Sequence, residues 1–220
     1  MKKAVVLLSG GLDSTTILYY AKDKGYQPHC LIFDYGQRHR KEITRAKAIA
    51  RRSGCTYRLV KFGMAWQGSS LLDKSMKLPS RKKIDAKGIP STYVPARNII
   101  FLSFAVSYAE TIGAQAVFIG ANAIDYSGYP DCRPRFFKAY EKVIRAGMKS
   151  GVEGRTIKIV APLLHKTKAQ IVRLGRRLKV PYDKTWSCYR GGQNPCGICE
   201  SCRLRKKGFE EAGVKDPVLK

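Results

Sequence analysis

The string Ser9-Gly10-Gly11-Leu12-Asp13-Ser14 stands directly behind the apolar run Ala4 to Leu8 and opens a segment of helical character from about Ser14 to Lys24. A strand that turns through two glycines into a helix leaves its backbone N–H groups converging at the positive helix end, where an anion binds. The glycines allow the main chain to come close to a phosphate. The hydroxyls of Ser9, Ser14 and Thr15 can donate to phosphate oxygens, and Asp13 can hold a divalent metal or cap the turn. No lysine follows the glycines, so this is not the phosphate loop of kinases and GTPases.

Beyond the turn, apolar strands and helices alternate. His29 to Asp34 reads as a second strand, and Glu42 to Ser53 as a helix with Ile43, Ala46, Ile49 and Ala50 on one face. Tyr57 to Lys61 supplies a third strand. Asn98 to Ile112, apolar on nearly all sides, suits a helix buried against a sheet, and Ala116 to Gly120 is a fourth strand. Alternation of this kind predicts an α/β, Rossmann-like parallel sheet flanked by helices, with ligands beyond the carboxyl ends of the strands. From Phe62 to Ser91 the pattern dissolves into Gly, Ser, Pro and basic residues, the mark of a long active-site loop or lid. Thr167 followed by Gln170 is a capping box, and Ile171, Leu174 and Leu178 line the helix it starts.

With 220 residues the chain can bury a core without crosslinks. Its longest apolar stretch, near Ile99 to Val106, is too short and too broken by serine to span a membrane, and Ala4 to Leu8 is shorter than a signal-peptide core, so a cytoplasmic protein is expected. The formal charge of +26 draws anions, and Arg133 to Lys184 alone holds fifteen Lys or Arg against three acids. Charge of this spread describes a solvated basic surface that attracts ATP, and it leaves a nucleic-acid partner open.

Of seven cysteines, Cys188, Cys196, Cys199 and Cys202 fall within fifteen residues. In a reducing compartment such a cluster binds metal rather than forming disulfides. Four thiolates complete tetrahedral zinc and leave no position for water, which makes the site structural. An iron–sulfur cluster is the alternative. Residues 1–180 are then expected to form the catalytic unit, and 181–220 a zinc-knuckle segment packed on it, with a short helix through Arg203 to Glu210.

The Leu8 to Thr15 turn resembles the PP-loop of the ATP-pyrophosphatase superfamily, which cleaves ATP between its α and β phosphates and adenylates a carbonyl or carboxyl oxygen. Further strings are Phe33-Asp34-Tyr35-Gly36-Gln37-Arg38-His39, Tyr93-Val94-Pro95-Ala96-Arg97-Asn98, Asp125-Tyr126-Ser127-Gly128-Tyr129-Pro130-Asp131-Cys132-Arg133 and Thr185-Trp186-Ser187-Cys188-Tyr189. With the cysteine knuckle they resemble the 7-cyano-7-deazaguanine synthase family. That resemblance implies an adenine nucleotide alpha hydrolase-like fold and a reaction in which 7-carboxy-7-deazaguanine, ammonia and MgATP give the nitrile, AMP and pyrophosphate through an adenylated acid and an adenylated amide. It implies ATP at Leu8, Ser9, Gly10, Gly11, Leu12, Asp13, Ser14 and Thr15, catalytic roles for Asp13, Ser14, Arg97 and Lys168, structural zinc on the four cysteines, and a homo-oligomer, a dimer first of all. The deazapurine is expected at Asp125, Tyr126, Ser127, Gly128, Tyr129 and Asp131, whose carboxylates and rings suit a guanine-like edge and face.

One departure stands out: the family places an acid before the Phe that follows Asp131-Cys132-Arg133, and here Arg135 precedes Phe136. His39 is a further candidate for proton transfer. Two other readings fit the same residues, a PP-loop enzyme that modifies tRNA and a zinc-ribbon nucleic-acid binder on an inactive ATPase scaffold.

Overall fold

The computed structural model describes residues 1–64, 66, 68–78, 88–124 and 128–219. Its centre is a five-stranded, all-parallel sheet in the order β3-β2-β1-β4-β5, built from β1 (Lys2–Leu7), β2 (Tyr26–Asp34), β3 (Thr56–Lys61), β4 (Ala116–Phe118) and β5 (Lys158–Val160). β1 is central, and its residues alternate between two cores. Ala4 and Val6 face α1 (Leu12–Asp23) and α2 (Lys41–Arg52), whereas Val5 and Leu7 face α3 (Arg97–Thr111) and α4 (Pro134–Gly147). Because both faces are covered, β1 reads as a continuous apolar run. Full burial of each of its valines contributes roughly 1.5–3 kcal/mol.

The chain winds outward from β1 to β3, then returns to place β4 on the other side of β1. The strand order therefore reverses between β1 and β4, and a crevice opens beyond their carboxyl ends at that switch point. The turn after β1 lies in it. Gly120, just past β4, is pressed on the start of α1: a Cβ there would lie 3.1 Å from the Ser14 nitrogen and 3.2 Å from the Asp13 carbonyl carbon.

The expected helices and strands are present within a few residues, and the Thr167 capping box forms, with Gln170 N–H donating to Thr167 Oγ1 at 3.2 Å and Thr167 N–H donating to Gln170 Oε1 at 2.9 Å. Sequence reasoning passed over α4, the four-residue helix α5 (Lys149–Val152) and β5. α4 hides behind its charge, since the apolar stripe of Phe137, Tyr140 and Ile144 is interleaved with exposed Arg135, Lys138, Lys142 and Arg145. α3 needs a correction too. Leu102, Ala105, Val106 and Ala109 pack on the sheet, but Ile99 and Phe104 are left 43% and 41% exposed among the described residues.

The C-terminal segment is fastened to the sheet domain by polar contacts as well as packing. α6 (Lys168–Arg177) and α7 (Glu200–Glu211) lie side by side. Arg205, 3% exposed, donates to both Asp216 oxygens at 2.7 and 2.9 Å, to Thr185 Oγ1 and to the Tyr182 carbonyl. Tyr182 in turn donates to the Ile171 carbonyl and meets Thr16 of α1 at 2.9 Å, which is open to it because Gly175 carries no side chain. Among the described residues, no helix is long and apolar enough to cross a membrane.

Candidate active site

The turn after β1 is held from three sides. Gly10 has φ of +80°, and a Cβ on it would lie 2.6 Å from the Glu42 carbonyl oxygen and 2.7 Å from the Ala46 nitrogen, both backbone atoms of α2. Only glycine fits a left-handed residue against a neighbouring backbone. The Gly10 carbonyl accepts from Trp186 N–H at 2.9 Å, which ties the turn to the C-terminal segment. Ser9 and Ser14 hydroxyls meet at 2.9 Å, Ser9 N–H donates to Ser14 Oγ, and Gly11 N–H donates weakly to Ser9 Oγ at 3.3 Å. These groups ring the amino end of α1, whose dipole favours an anion.

A cavity of about 270 Å³ opens from this turn and is lined by Leu8, Ser9, Gly11, Leu12, Asp13 and Ser14. Gly10 and Thr15 are not on its wall: Gly10 packs on α2, and the fully buried Thr15 hydroxyl donates to the Gly11 carbonyl at 2.7 Å. Lys168, at the start of α6, reaches the same cavity and clasps Asp13, its Nζ donating to the two carboxylate oxygens at 2.9 and 2.8 Å. Lys168 is only 8% exposed. Its stem passes so close to Gly208 of α7 that a Cβ there would lie 2.3 Å from Lys168 Cγ.

Arg97 enters from α3, on the opposite face of the sheet, and donates to Tyr35 Oη at 3.3 Å. Burial opposes its charge, but the oxygens of Tyr35, Tyr129 and Asp131 more than offset this and push its pKa above the ordinary value, so it stays cationic. Glu42 of α2 lines the cavity as well, and burial raises its pKa to about 7 against the opposing field of Arg97. Of the expected deazapurine residues, Tyr129 lines the cavity, buried, with its hydroxyl 2.6 Å from Thr92 Oγ1 and its pKa pushed by burial up to about 12. Gly128 packs against Gly88 and Pro90. Asp131 stands behind the wall, where it accepts from Asn98 N–H at 3.1 Å and so caps α3. Asp125, Tyr126 and Ser127 lie outside the described residues, as does part of the expected lid, residues 79–87.

The FDYGQRH string is spent on architecture and lining together. Arg38 donates to the carbonyls of Ser70, Lys74 and Met76, fixing the loop after β3 over the cavity rim, and Gln37 bridges Tyr35 N–H and the Phe33 carbonyl. Burial lowers the pKa of His39, and its Nδ1 is buried with no hydrogen-bond partner among the described residues. Sequence reasoning missed Glu42, which looked like an ordinary acid in the first turn of a helix. It also missed the Lys168–Asp13 pairing, which joins positions 155 residues apart.

Away from the cavity, the Sγ atoms of Cys188, Cys196, Cys199 and Cys202 all lie within 4.8 Å of one another, three of the residues buried, under Trp186. Arg190 and Cys196 N–H groups donate to Cys188 Sγ at 3.4 and 3.3 Å, and Cys199 N–H donates to Cys196 Sγ at 3.4 Å. Amide donors aimed at sulfur favour thiolates, and four convergent thiolates fit a metal ion. Lys41 caps the knuckle, donating to the Gly192 and Gln193 carbonyls while lying 3.8 Å over the Trp186 ring.

Parallel sheet, switch-point crevice and glycine turn together define a doubly wound α/β protein with its ligand site at the carboxyl ends of the strands. The backbone is similar to that of NMN synthetase from Francisella tularensis, with a TM-score of 0.51 over 99% of this chain and 80% of that one, at 16% identity, a likeness of fold alone. The chain belongs to the 7-cyano-7-deazaguanine synthase family: residues 3–213 match the family model described as queuosine biosynthesis protein QueC. It is 55% identical to the 7-cyano-7-deazaguanine synthase of Clostridium kluyveri, over 99% of this chain and 97% of that protein. It is 52% identical to that of Trichodesmium erythraeum, over 99% and 100%, and 53% identical to that of Thermoplasma acidophilum, over 99% and 91%.

The contact between α7 and Lys168 makes a specific prediction. Gly208→Ala should shift the lysine stem and cost about 1–3 kcal/mol of stability through overpacking, while raising KM for ATP with full metal content. Urea unfolding, steady-state kinetics and elemental analysis of one preparation check all three.

Proposed function

We propose that this chain makes 7-cyano-7-deazaguanine from 7-carboxy-7-deazaguanine, ammonium and ATP, releasing AMP and pyrophosphate in two successive adenylations at the one cavity. The observation that carries this reading is the anion-binding turn at the strand switch point, with Lys168 beside it and Arg97 opposite. N–H groups and hydroxyls of residues 9–14 gather at the positive end of α1, which supports a site for the β and γ phosphates there. Negative charge grows on the departing pyrophosphate, and fixed donors in a partly enclosed cavity stabilise it without reorganisation. Lys168 is the cation beside the turn. Held by Asp13 in the structure, it can turn to the phosphates, releasing a carboxylate at the mouth of the turn. Magnesium bound with ATP would neutralise phosphate charge there, and Asp13 is the group that would hold it.

Arg97 suits the substrate carboxylate, which it would orient toward the α-phosphate. Tyr129 supplies a wall for the planar deazapurine, with Asp125 and Tyr126 as proposed edge and face contacts. Asp131 serves best as the cap that fixes Asn98 and the start of α3. The four cysteines suit zinc, and we assign residues 181–220 to a metal-held segment on a catalytic unit of residues 1–180. This segment reaches the chemistry through Trp186 on Gly10 and Gly208 on Lys168.

Incubation with 7-carboxy-7-deazaguanine, ammonium and MgATP should yield the nitrile with AMP and pyrophosphate by mass spectrometry. Lys168→Ala should lower kcat/KM at least about 100-fold in that assay with the fold intact. A wild-type preparation that releases no AMP with this acid would refute the reading. Cys199→Ser should lose one equivalent of zinc and melt at lower temperature, because binding energy at a structural site is folding energy; iron in place of zinc would correct the metal.

The partly exposed apolar side of α3, with Ile99 and Phe104, suits a second copy of the chain and a homodimer. Phe104→Glu should then sediment as a monomer at concentrations where the wild type is a dimer.

A further inference from the structure

Ammonium carries no lone pair, so before nitrogen can attack an acyl adenylate something in the cavity must hold the cation and remove a proton. We propose that Glu42 is that group: its carboxylate receives ammonium beside the activated carboxyl and accepts the proton released as nitrogen becomes a nucleophile. This rests on the synthase reading above and adds to it the site of the co-substrate.

The cavity wall holds two carboxylates among the described residues, Asp13 and Glu42. Asp13 is engaged at both oxygens by Lys168, whereas the Glu42 carboxyl makes no hydrogen bond or ion pair with any described residue. An acid half buried without a partner costs free energy, and the natural ligand that repays it is a cation rich in N–H donors. Glu42 also sits at the right place. Its own carbonyl packs on Gly10, so the side chain starts beside the phosphate turn.

Across the crevice stands Arg97, close enough for its field to act on Glu42 although the two do not form an ion pair. α2 and α3 cover opposite faces of the sheet, and their first turns bring an anion and a cation to facing walls. A substrate carboxyl on Arg97 and an ammonium on Glu42 would therefore meet in the gap between them. Among the described residues, Arg38 is committed to loop carbonyls, Lys41 to Gly192 and Gln193, and Cys188 also acts on Glu42 through its charge. Burial, by raising the carboxyl toward neutrality, suits a group that must bind a cation as carboxylate and then keep its proton. A magnesium ion, which prefers phosphate oxygens and several waters, is poorly served by one carboxylate facing a guanidinium.

The step balances as follows. One N–H bond of ammonium breaks and its proton passes to Glu42. The freed lone pair forms the C–N bond at the acyl carbon, and the C–O bond to AMP breaks with its electron pair leaving on the phosphate oxygen. The second proton of the tetrahedral adduct is lost to that phosphate. Amide and AMP result.

The test separates adenylation from amidation. Full-length wild type and Glu42→Gln, both zinc-loaded, are compared in pyrophosphate exchange into ATP with the acid and no ammonium, and in amide formation against total ammonium. Exchange should stay within about twofold of wild type, while kcat/KM for ammonium near pH 7 falls about 100-fold and recovers toward pH 9 as free ammonia replaces ammonium. Loss of exchange would assign Glu42 to nucleotide, metal or acid binding and overturn the proposal. Undiminished amide formation near pH 7, or a defect that high pH does not relieve, would overturn it equally. Absence of exchange in the wild type would remove the synthase reading, and the role of Glu42 with it.

Discussion

The contact between Lys168 and Asp13 organises this structure. It bridges the first helix and the sixth at the cavity, and it holds a cation next to the turn proposed for the triphosphate. A lysine so buried costs desolvation unless an anion faces it. Asp13 meets that need when phosphate is absent, and phosphate can meet it when ATP is bound. The same pair links the C-terminal segment to the cavity: α7 presses Gly208 on the lysine stem, and α7 begins beside the cysteine cluster.

A second dependency runs through Gly10. Its positive φ and its backbone contact with α2 leave room for no side chain, and Trp186 donates to its carbonyl from the other direction. Phosphate turn, second helix and cysteine knuckle thus share one residue. In such an arrangement the knuckle is a brace for the turn rather than an appendage, and losing the metal would loosen the anion site as well as the C-terminus.

The centre of the sheet was legible in the sequence because β1 and the second half of β2 are buried apolar runs, and the glycine turn because two glycines, two hydroxyls and an acid follow the first of them. The cysteines were legible by spacing alone. α4 was hidden because five of its fourteen residues are basic or acidic and mask the stripe of Phe137, Tyr140 and Ile144. β5, three residues long, is too brief to show a period. The roles of Asp131 and Glu42 could not be read at all, since each depends on what the fold sets opposite: an amide of α3 for Asp131, and open cavity facing Arg97 for Glu42. Side chains aimed by distant elements carry no local signal.

On the reading proposed for this chain, the turn holds the polyphosphate of ATP and Lys168 changes partner to meet it. A crystal structure with a nonhydrolysable ATP analogue, magnesium and the acid tests it most directly. The account predicts phosphate oxygens about 3 Å from the N–H groups of the Ser9 to Ser14 turn, with Lys168 Nζ moved from Asp13 onto them. A triphosphate seated elsewhere, above an unchanged Lys168–Asp13 pair, would contradict it.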